Sequence, residues 1–256
     1  MGAASGGVGR AGRQVRRALV RADRGAVRRL RGRRVLRPAG RPGRARRPGR
    51  PAGKAVLLEK PLAMDLDGAR RVAGAIAEAG VVSQMVFTLR YSRAARAFLA
   101  RAAELEPFGG YGSFVSSVLS GGPFATPWRL EKGALLDLGP HIVDLLDASL
   151  GRVAGVRAHG DPLGWVGLTL EHEGGAVSQA SVSMAGHGEL PPARVEVYGR
   201  NGHAQLDWSQ LGDDAFATMV AEFAAAVRGG PSPLLDAAHG LRIQEVLAAA
   251  EAQLAD

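Results

Sequence analysis

A strand, a helix and a second strand follow one another in the first patterned stretch of the chain. Residues 55–58 form a short, continuous apolar run of the kind found in buried strands. Small and aliphatic residues then recur at helical spacing over 66–79, with Asp65 placed to cap the helix and Gly80 to end it. A second apolar run follows at 81–87. This order predicts two parallel strands joined by a crossover helix, an arrangement in which ligands gather at the carboxyl ends of the strands.

Alternation replaces helical spacing in the second half of the chain. Within 193–198 and 203–208, apolar residues occupy every second position and polar residues lie between them. Such alternation indicates a sheet with one packed face and one polar face. Further strands of this sheet are predicted at 153–158, 165–172 and 176–184. A strand over 111–119 and helices over 92–103, 214–228 and 235–254 complete the predicted elements. Together they predict an α/β plus α+β fold.

Charge divides the chain near residue 53. Residues 1–53 contain 17 arginines against one acidic residue (Asp23), a formal charge of +16, whereas the other 16 basic and 23 acidic residues give −7. With 11 glycines and no aromatic residue, the first segment lacks the apolar surface needed to offset the entropy of ordering it. We expect residues 1–53 to be disordered, or to be the product of translation in the wrong reading frame.

Three functional interpretations of residues 1–53 stay open beside that expectation. Residues 7–12 match the G-x-G-x-x-G dinucleotide fingerprint, although no strand pattern precedes them, as the fingerprint requires. The arginine-rich, acid-poor composition is also typical of transit peptides, although the segment has a single serine. A third interpretation is an arm that neutralises nucleic-acid phosphates, although no stacking aromatic residue accompanies the arginines.

Composition narrows the chemistry that is open to the protein. The sequence has no cysteine, which excludes disulfides, thiolate nucleophiles and cysteine metal sites. No apolar run approaches the roughly 18 to 20 residues that a membrane span needs. The histidines show no metal-ligand spacing with acidic residues on a shared helical face, so no metal site is predicted. We expect a cytoplasmic protein that does not enter the membrane.

Three residues of the patterned region have the character and position for chemistry. Lys60 follows the first predicted strand, where a lysine can be desolvated and can donate to a substrate oxygen; the alternative is an ordinary strand-end lysine. Asp137 and His141 are four residues apart, which places both on one helical face, and Asp144 follows at the seventh position. A carboxylate beside an imidazole raises its pKa and orients it, which suits proton transfer near neutral pH. The alternative is a capping aspartate and a histidine at the edge of the core.

These motifs, in this order, resemble those of the Gfo/Idh/MocA oxidoreductases, the group that includes glucose–fructose oxidoreductase and inositol dehydrogenase. Residues 59–61 (Glu-Lys-Pro) resemble the family's strand ending in E-K-P, and residues 87–92 resemble the segment that enters the second domain. The Trp-Arg pair at 128–129 precedes residues 133–144, which resemble the signature G-x-x-x-D-x-G-x-H-x-x-D. The resemblance covers about residues 52–256.

The resemblance implies a Rossmann domain that binds NAD or NADP, followed by an α/β domain with a large, mostly antiparallel open sheet. On this basis residues 54–90 are the remnant of the Rossmann domain, and residues 91–256 are the C-terminal domain for substrate and oligomer contacts. Each β–α–β unit of a Rossmann half takes about 30 residues. Residues 1–53 do not supply such units, so we expect an incomplete dinucleotide site, and with it poor dinucleotide binding or an inactive chain.

The resemblance also implies a reaction, which is hydride transfer between the nicotinamide and a sugar, a polyol or a related carbinol carbon. Lys60 would contact the substrate near the nicotinamide, His141 would be the acid/base, and Asp137 would position the substrate or His141. The cofactor-binding residues implied are Glu59, Lys60 and Pro61. The substrate-binding residues implied are Arg90, Tyr91, Trp128, Arg129, Asp137 and His141. The expected partners are a small sugar or polyol and a second copy of the chain, bound through the open sheet. The rival hypothesis is a cofactor-free scaffold whose residues 1–53 bind nucleic acid.

Overall fold

A computed structural model of the chain describes residues 53–121, 125–212 and 214–254. The predictions made for residues 1–52, including the glycine motif at 7–12, lie outside the described residues. The helices are α1 (Leu66–Ala79), α2 (Arg93–Ala103), α3 (Pro127–Asp137), α4 (Gly139–Leu150), α5 (Asp214–Val227) and α6 (Ala237–Leu254). The strands are β1 (Val56–Leu58), β2 (Ser83–Met85), β3 (Pro107–Val115), β4 (Val153–Gly160), β5 (Trp165–His172), β6 (Val177–Ser183), β7 (Arg194–Gly199) and β8 (Gly202–Asp207). Short 3-10 helices lie at Thr88–Tyr91, Val118–Ser120 and Trp208–Gln210.

The predicted strand–helix–strand unit is present at the start of the described chain. Strands β1 and β2 pair in parallel, with Leu57 opposite Gln84. The Asp65 side chain accepts a hydrogen bond from the backbone of the first turn of α1, and Gly80 ends the helix with a φ of 59°. Strand β2 is shorter than the apolar run at 81–87. It ends at Met85, whose backbone N–H donates to the carbonyl of Leu235. The next N–H, of Val86, still donates to Leu58 of β1.

The large sheet is open and mostly antiparallel, as predicted. Its six strands lie in the order β4-β5-β6-β3-β7-β8, and only the β3–β6 pair is parallel. Strand β3 begins earlier than the predicted 111–119 because its first residue, Pro107, is already paired with Gly199 of β7. That pairing joins distant segments, so the local residue pattern gives no sign of it.

Two glycines let helix α4 lie directly on the sheet. A Cβ atom at Gly112 of β3 would lie 2.5 Å from Cγ2 of Ile142, and one at Gly110 would lie 2.8 Å from Cδ1 of Leu150. On the helix side, Ile142, Leu145 and Leu146 are fully buried. Each such side chain contributes about 1.5–3 kcal/mol by leaving water. The helix that contains His141 is therefore anchored along its length.

The opposite face of the sheet is polar and exposed, as the alternation predicted. In β7, Val195 and Val197 are buried against the helices, whereas Arg194 and Tyr198 are exposed on the other side. The large side chain of Trp165 is also exposed.

Helix α6 ties the strand–helix–strand unit to the large sheet. The amide of Gln244 exchanges two hydrogen bonds with the backbone of Ala63, at 3.1 and 2.8 Å. About two and a half turns further on, Gln253 bonds to the backbone of β4 at Ala158 and Val156. The apolar side of α6 is buried between these contacts. Among the helices of residues 53–121, 125–212 and 214–254, none has the length and apolar character needed to cross a membrane.

Candidate active site

Lys60 lies just beyond the carboxyl end of β1, and its ammonium reaches the end of helix α3. Its Nζ donates to the backbone carbonyl of Asp137 at 2.6 Å and to Oδ1 of the same residue at 2.8 Å. The lysine side chain is only 14% exposed. Lys60 and Asp137, two of the three residues that the sequence singled out for chemistry, are thus in direct contact, although they come from different parts of the fold.

Arg129 is a second cation on the same carboxylate. Its Nε donates to Oδ2 of Asp137 at 2.6 Å, and its Nη2 lies 3.4 Å from Oδ1. Burial raises the pKa of Asp137, but the hydrogen bond from Arg129 and the charge of Lys60 outweigh it, so the pKa lies below its ordinary value. The Asp137 carboxyl group is therefore ionised at neutral pH, with cations on both oxygens.

His141 occupies the first turn of helix α4, two residues beyond the start of that helix. Helix α3 ends at Asp137 and α4 begins at Gly139, so Asp137 and His141 lie on either side of a junction at Leu138. Pro140 falls in the first turn, where its missing N–H costs little. The sequence predicted that Asp137 and His141 share one helical face, whereas the structure places them in two successive helices.

The imidazole of His141 is held in its neutral form. Its Nδ1 is buried without a hydrogen-bond partner, and its ring lies 6.5 Å from the ring of Phe114 on β3, centroid to centroid. The sequence predicted a raised pKa for His141 beside the carboxylate, and this prediction was wrong. Burial and the positive charge of Lys60 lower that pKa to about 3, against the attraction of Asp137. A neutral imidazole is the form that can accept a proton from a substrate hydroxyl group.

The resemblance implied Arg90 and Tyr91 as substrate ligands. In the structure both side chains are hydrogen-bonded to other residues of the protein, away from Lys60. Nη1 of Arg90 donates to Oδ1 of Asp144 at 2.8 Å, and the hydroxyl of Tyr91 donates to the carbonyl of Met85 at 3.2 Å. Burial raises the pKa of Tyr91 above its ordinary value. Both residues line a cavity of about 500 Å³. The residues that line it do not include Lys60, Asp137 or His141. The role of Arg90 and Tyr91 as substrate ligands stays a prediction.

Trp128, the neighbour of Arg129, is half-buried and packs against the hydrophobic core. Its indole Nε1 is buried without a hydrogen-bond partner. A buried indole N–H usually has a partner. Contact between Trp128 and the substrate stays a prediction. The exposed Glu59 and the half-buried Pro61 flank Lys60 at the end of β1, where the sequence predicted cofactor contact.

A buried polar network beneath α4 includes residues that the sequence did not group together. Oδ1 of Asp144 accepts from Nε2 of His239 at 2.6 Å as well as from Arg90, and Arg242 donates to Nδ1 of His239 at 2.8 Å and to Asp147 at 2.9 Å. Because arginine can only donate, Nδ1 is the acceptor and Nε2 has the hydrogen. The network fixes α6 to α4, and its members lie too far apart in sequence for any local pattern to group them.

The residues around Lys60 stand where the sequence predicted cofactor contact, which stays a prediction. No group of three or more histidine or acidic residues in the described ranges could hold a metal ion. Lys60 lies at the carboxyl end of a parallel strand, the position where such folds bind nucleotides. Its positive charge is one of the causes that lower the pKa of His141. A proton acceptor beside a cation is the pair of groups that alcohol oxidation requires.

Comparison with solved structures finds this fold in several oxidoreductases. GenD2 from gentamicin A biosynthesis, solved in complex with NAD, is 25% identical and matches with a TM-score of 0.70 over 79% of this chain and 70% of its own. An oxidoreductase domain protein from Kribbella flavida is 23% identical, with a TM-score of 0.69 over 79% and 72%. The WlbA dehydrogenase from Bordetella pertussis, in complex with NADH and UDP-GlcNAcA, is 20% identical, with a TM-score of 0.70 over 80% and 70%. Among curated proteins, none matches the sequence.

The chain thus has two structural parts. The first is a parallel strand–helix–strand unit, and the second is an open sheet that supports helix α4 with His141. Within it, residues 108–205 match the model of the GFO/IDH/MocA C-terminal domain. This match, together with the similar structures, agrees with the resemblance to the Gfo/Idh/MocA oxidoreductases that was drawn from the motifs.

Proposed function

We propose that the protein transfers hydride between a nicotinamide cofactor, NAD or NADP, and a carbinol carbon of a sugar, a polyol or a related molecule. The observation behind the proposal is the bond between Lys60 and ionised Asp137, two groups whose charges both act on the neutral imidazole of His141. The similar structures support this chemistry. GenD2 was solved with NAD, and levoglucosan dehydrogenase was solved with NADH and levoglucosan.

His141 is the proton acceptor in the proposed oxidation. The reaction breaks the O–H bond and the C–H bond of a carbinol, so that a carbonyl forms, the oxygen loses a proton and the carbon loses a hydride. The neutral imidazole of His141 takes the proton. A bound nicotinamide supplies the hydride acceptor. The ionised Asp137 favours the imidazolium as it forms, because its charge raises the proton affinity of His141. A positioned acid/base of this kind contributes about 10²- to 10⁴-fold in rate.

Lys60 is the residue that holds the substrate oxygen. An ammonium has three N–H groups, and in Lys60 two acceptors on Asp137 engage this ammonium. A remaining N–H can donate to the substrate oxygen and stabilise the charge that develops as the proton leaves. Since Asp137 orients the ammonium, the direction of that N–H is set before substrate binds.

Residues at the end of β1 would hold the nicotinamide end of the cofactor, namely Glu59, Lys60 and Pro61. Binding of the pyrophosphate and ribose would depend on residues outside the described part of the chain. Self-association through the exposed face of the sheet also stays a prediction, which the large exposed side chains of Trp165 and Tyr198 favour.

The test starts with cofactor binding to the full chain. NADH and NADPH are titrated while the fluorescence of the nicotinamide is followed. Because the dinucleotide site is expected to be incomplete, saturable but weak binding of one of them is expected. Oxidation of a panel of sugars and polyols is then measured with the matching oxidised cofactor. His141→Ala should lower turnover about 10²- to 10⁴-fold, whereas His159→Ala, at an exposed position on β4, should not. Absence of binding by both cofactors, or normal turnover in His141→Ala, would overturn the proposal.

A further inference from the structure

Arg129 folds back onto Asp137 within a single helical segment. In a straight α-helix, residues eight positions apart are separated by about 12 Å along the axis. The observed contact is 2.6 Å between Nε and Oδ2. The segment between them must therefore depart from a straight helix.

The departure is at Gly133, which has a φ of 70° and a ψ of −168° inside helix α3. The next residue, Ala134, donates its backbone N–H to the carbonyl of Pro162 at 3.0 Å. Pro162 belongs to the turn between β4 and β5, so the large sheet holds the kink. A Cβ atom at Gly133 would lie 2.1 Å from that same carbonyl oxygen, which leaves room only for glycine.

Both oxygens of Asp137 are engaged in this arrangement. Oδ2 accepts from Nε of Arg129, and Oδ1 accepts from Lys60 at 2.8 Å, with Nη2 of Arg129 at 3.4 Å. The Asp137 side chain is only 7% exposed. An arginine that grips a carboxylate through two nitrogens fixes its plane as well as its position. The orientation of the Lys60 ammonium then depends on Arg129 through Asp137.

We propose that Arg129 is a positioning residue, which holds the Asp137 carboxylate so that Lys60 is directed at the substrate oxygen, and is not itself a substrate ligand. This inference rests on the proposed function for its catalytic consequence. Its structural part, the dependence of Asp137 on Arg129, is independent of that function.

The first test is titration of the Asp137 carboxyl carbon by NMR in the full chain, without cofactor or substrate. In Arg129→Gln, the titration midpoint of Asp137 should move to higher pH, and in Arg129→Lys it should move less, because the charge remains. Arg157→Gln, at an exposed arginine on β4, is the matched control and should leave the midpoint unchanged. An unchanged midpoint in Arg129→Gln would overturn the proposal. If that variant does not fold, Arg129→Lys decides. A midpoint above the wild-type value supports the proposal, and an unchanged midpoint overturns it.

The second test separates positioning from substrate contact. A positioning role predicts that kcat falls, by up to roughly 100-fold for a displaced catalytic group, while KM changes little in Arg129→Gln. Partial recovery of kcat is expected in Arg129→Lys. A rise in KM with normal kcat would show that Arg129 binds substrate and would overturn the proposal. If the wild-type chain transfers no hydride, the proposed function fails, and the NMR titration still decides the positioning role of Arg129.

Discussion

The ammonium of Lys60 donates to two acceptors on a single residue, the backbone carbonyl and Oδ1 of Asp137, at 2.6 and 2.8 Å. This bond joins the strand–helix–strand unit to helix α3, across 77 residues of sequence. Asp137 ends α3, and α4 with His141 begins two residues later. The bond therefore connects the two parts of the fold at the place where the proposed chemistry occurs.

Replacing Lys60 with methionine should destabilise the folded chain. The change removes one of two cations from a carboxylate that is 7% exposed, and a buried group left incompletely satisfied costs about 1–3 kcal/mol. We expect the free energy of unfolding in urea to fall by that amount. Lys132→Met is the control, since Lys132 faces a well-exposed Glu131 at 3.8 Å, and surface changes of this kind stay within about 0.5 kcal/mol. Equal losses in the two variants would contradict a special role for the Lys60–Asp137 bond.

Stability should fall as the pH is lowered from 6.5 towards 3, in part because of His141. The pKa of His141 is lowered from 6.5 to about 3 in the folded chain, so between these values the unfolded chain binds a proton there that the folded chain does not. The free energy of unfolding therefore rises with pH in this window, by up to about 1.4 kcal/mol per pH unit from this residue. Urea unfolding measured from pH 4 to 7 should show a shallower slope in His141→Gln than in the wild-type chain. The same slope in both would show that His141 is not held neutral by the fold.

The elements near the chemistry could be predicted because their signals are local. Helix α1 has the predicted bounds, since its cap, its apolar spacing and its final glycine all lie within a few residues of one another. The contact between Lys60 and Asp137 joins distant segments, and only the family resemblance, not a local pattern, implied that the two act at one site.

The side-chain pairing around Asp137 and Asp144 could not be predicted in the same way. Helical spacing grouped Asp144 with His141, but its carboxylate is bonded to Arg90 and His239, which come from distant segments. Local sequence also gives no sign that Arg129 reaches Asp137. That contact depends on a backbone kink that a turn of the large sheet holds in place.

His239→Phe should destabilise the chain through the network beneath α4. The substitution removes the donor at 2.6 Å from Asp144 and the acceptor at 2.8 Å from Arg242, and both partners are largely buried. Loss of these bonds should lower the free energy of unfolding by about 1–3 kcal/mol. His203→Phe, at an exposed position on β8, is the matched control and should change stability by less than about 0.5 kcal/mol. Unchanged stability in His239→Phe would mean that the network contributes nothing to holding α6 against α4.

Gly133→Ala and Gly74→Ala should change stability in opposite directions. At Gly133 the backbone has a φ of 70° and a ψ of −168°, and the added Cβ would lie 2.1 Å from the carbonyl oxygen of Pro162. A non-glycine residue in this region costs on the order of 1–3 kcal/mol from strain alone, and the contact adds to that loss. At Gly74, inside α1, the added Cβ meets nothing within 4 Å, and alanine should stabilise the helix by roughly 0.5–1 kcal/mol. Thermal unfolding followed by circular dichroism measures both.

Because the kink brings Arg129 onto Asp137, Gly133→Ala should also raise the NMR titration midpoint of Asp137, as Arg129→Gln does. A Gly133→Ala chain as stable as wild type, with the Asp137 midpoint unmoved, would show that the kink does not hold Arg129 in place.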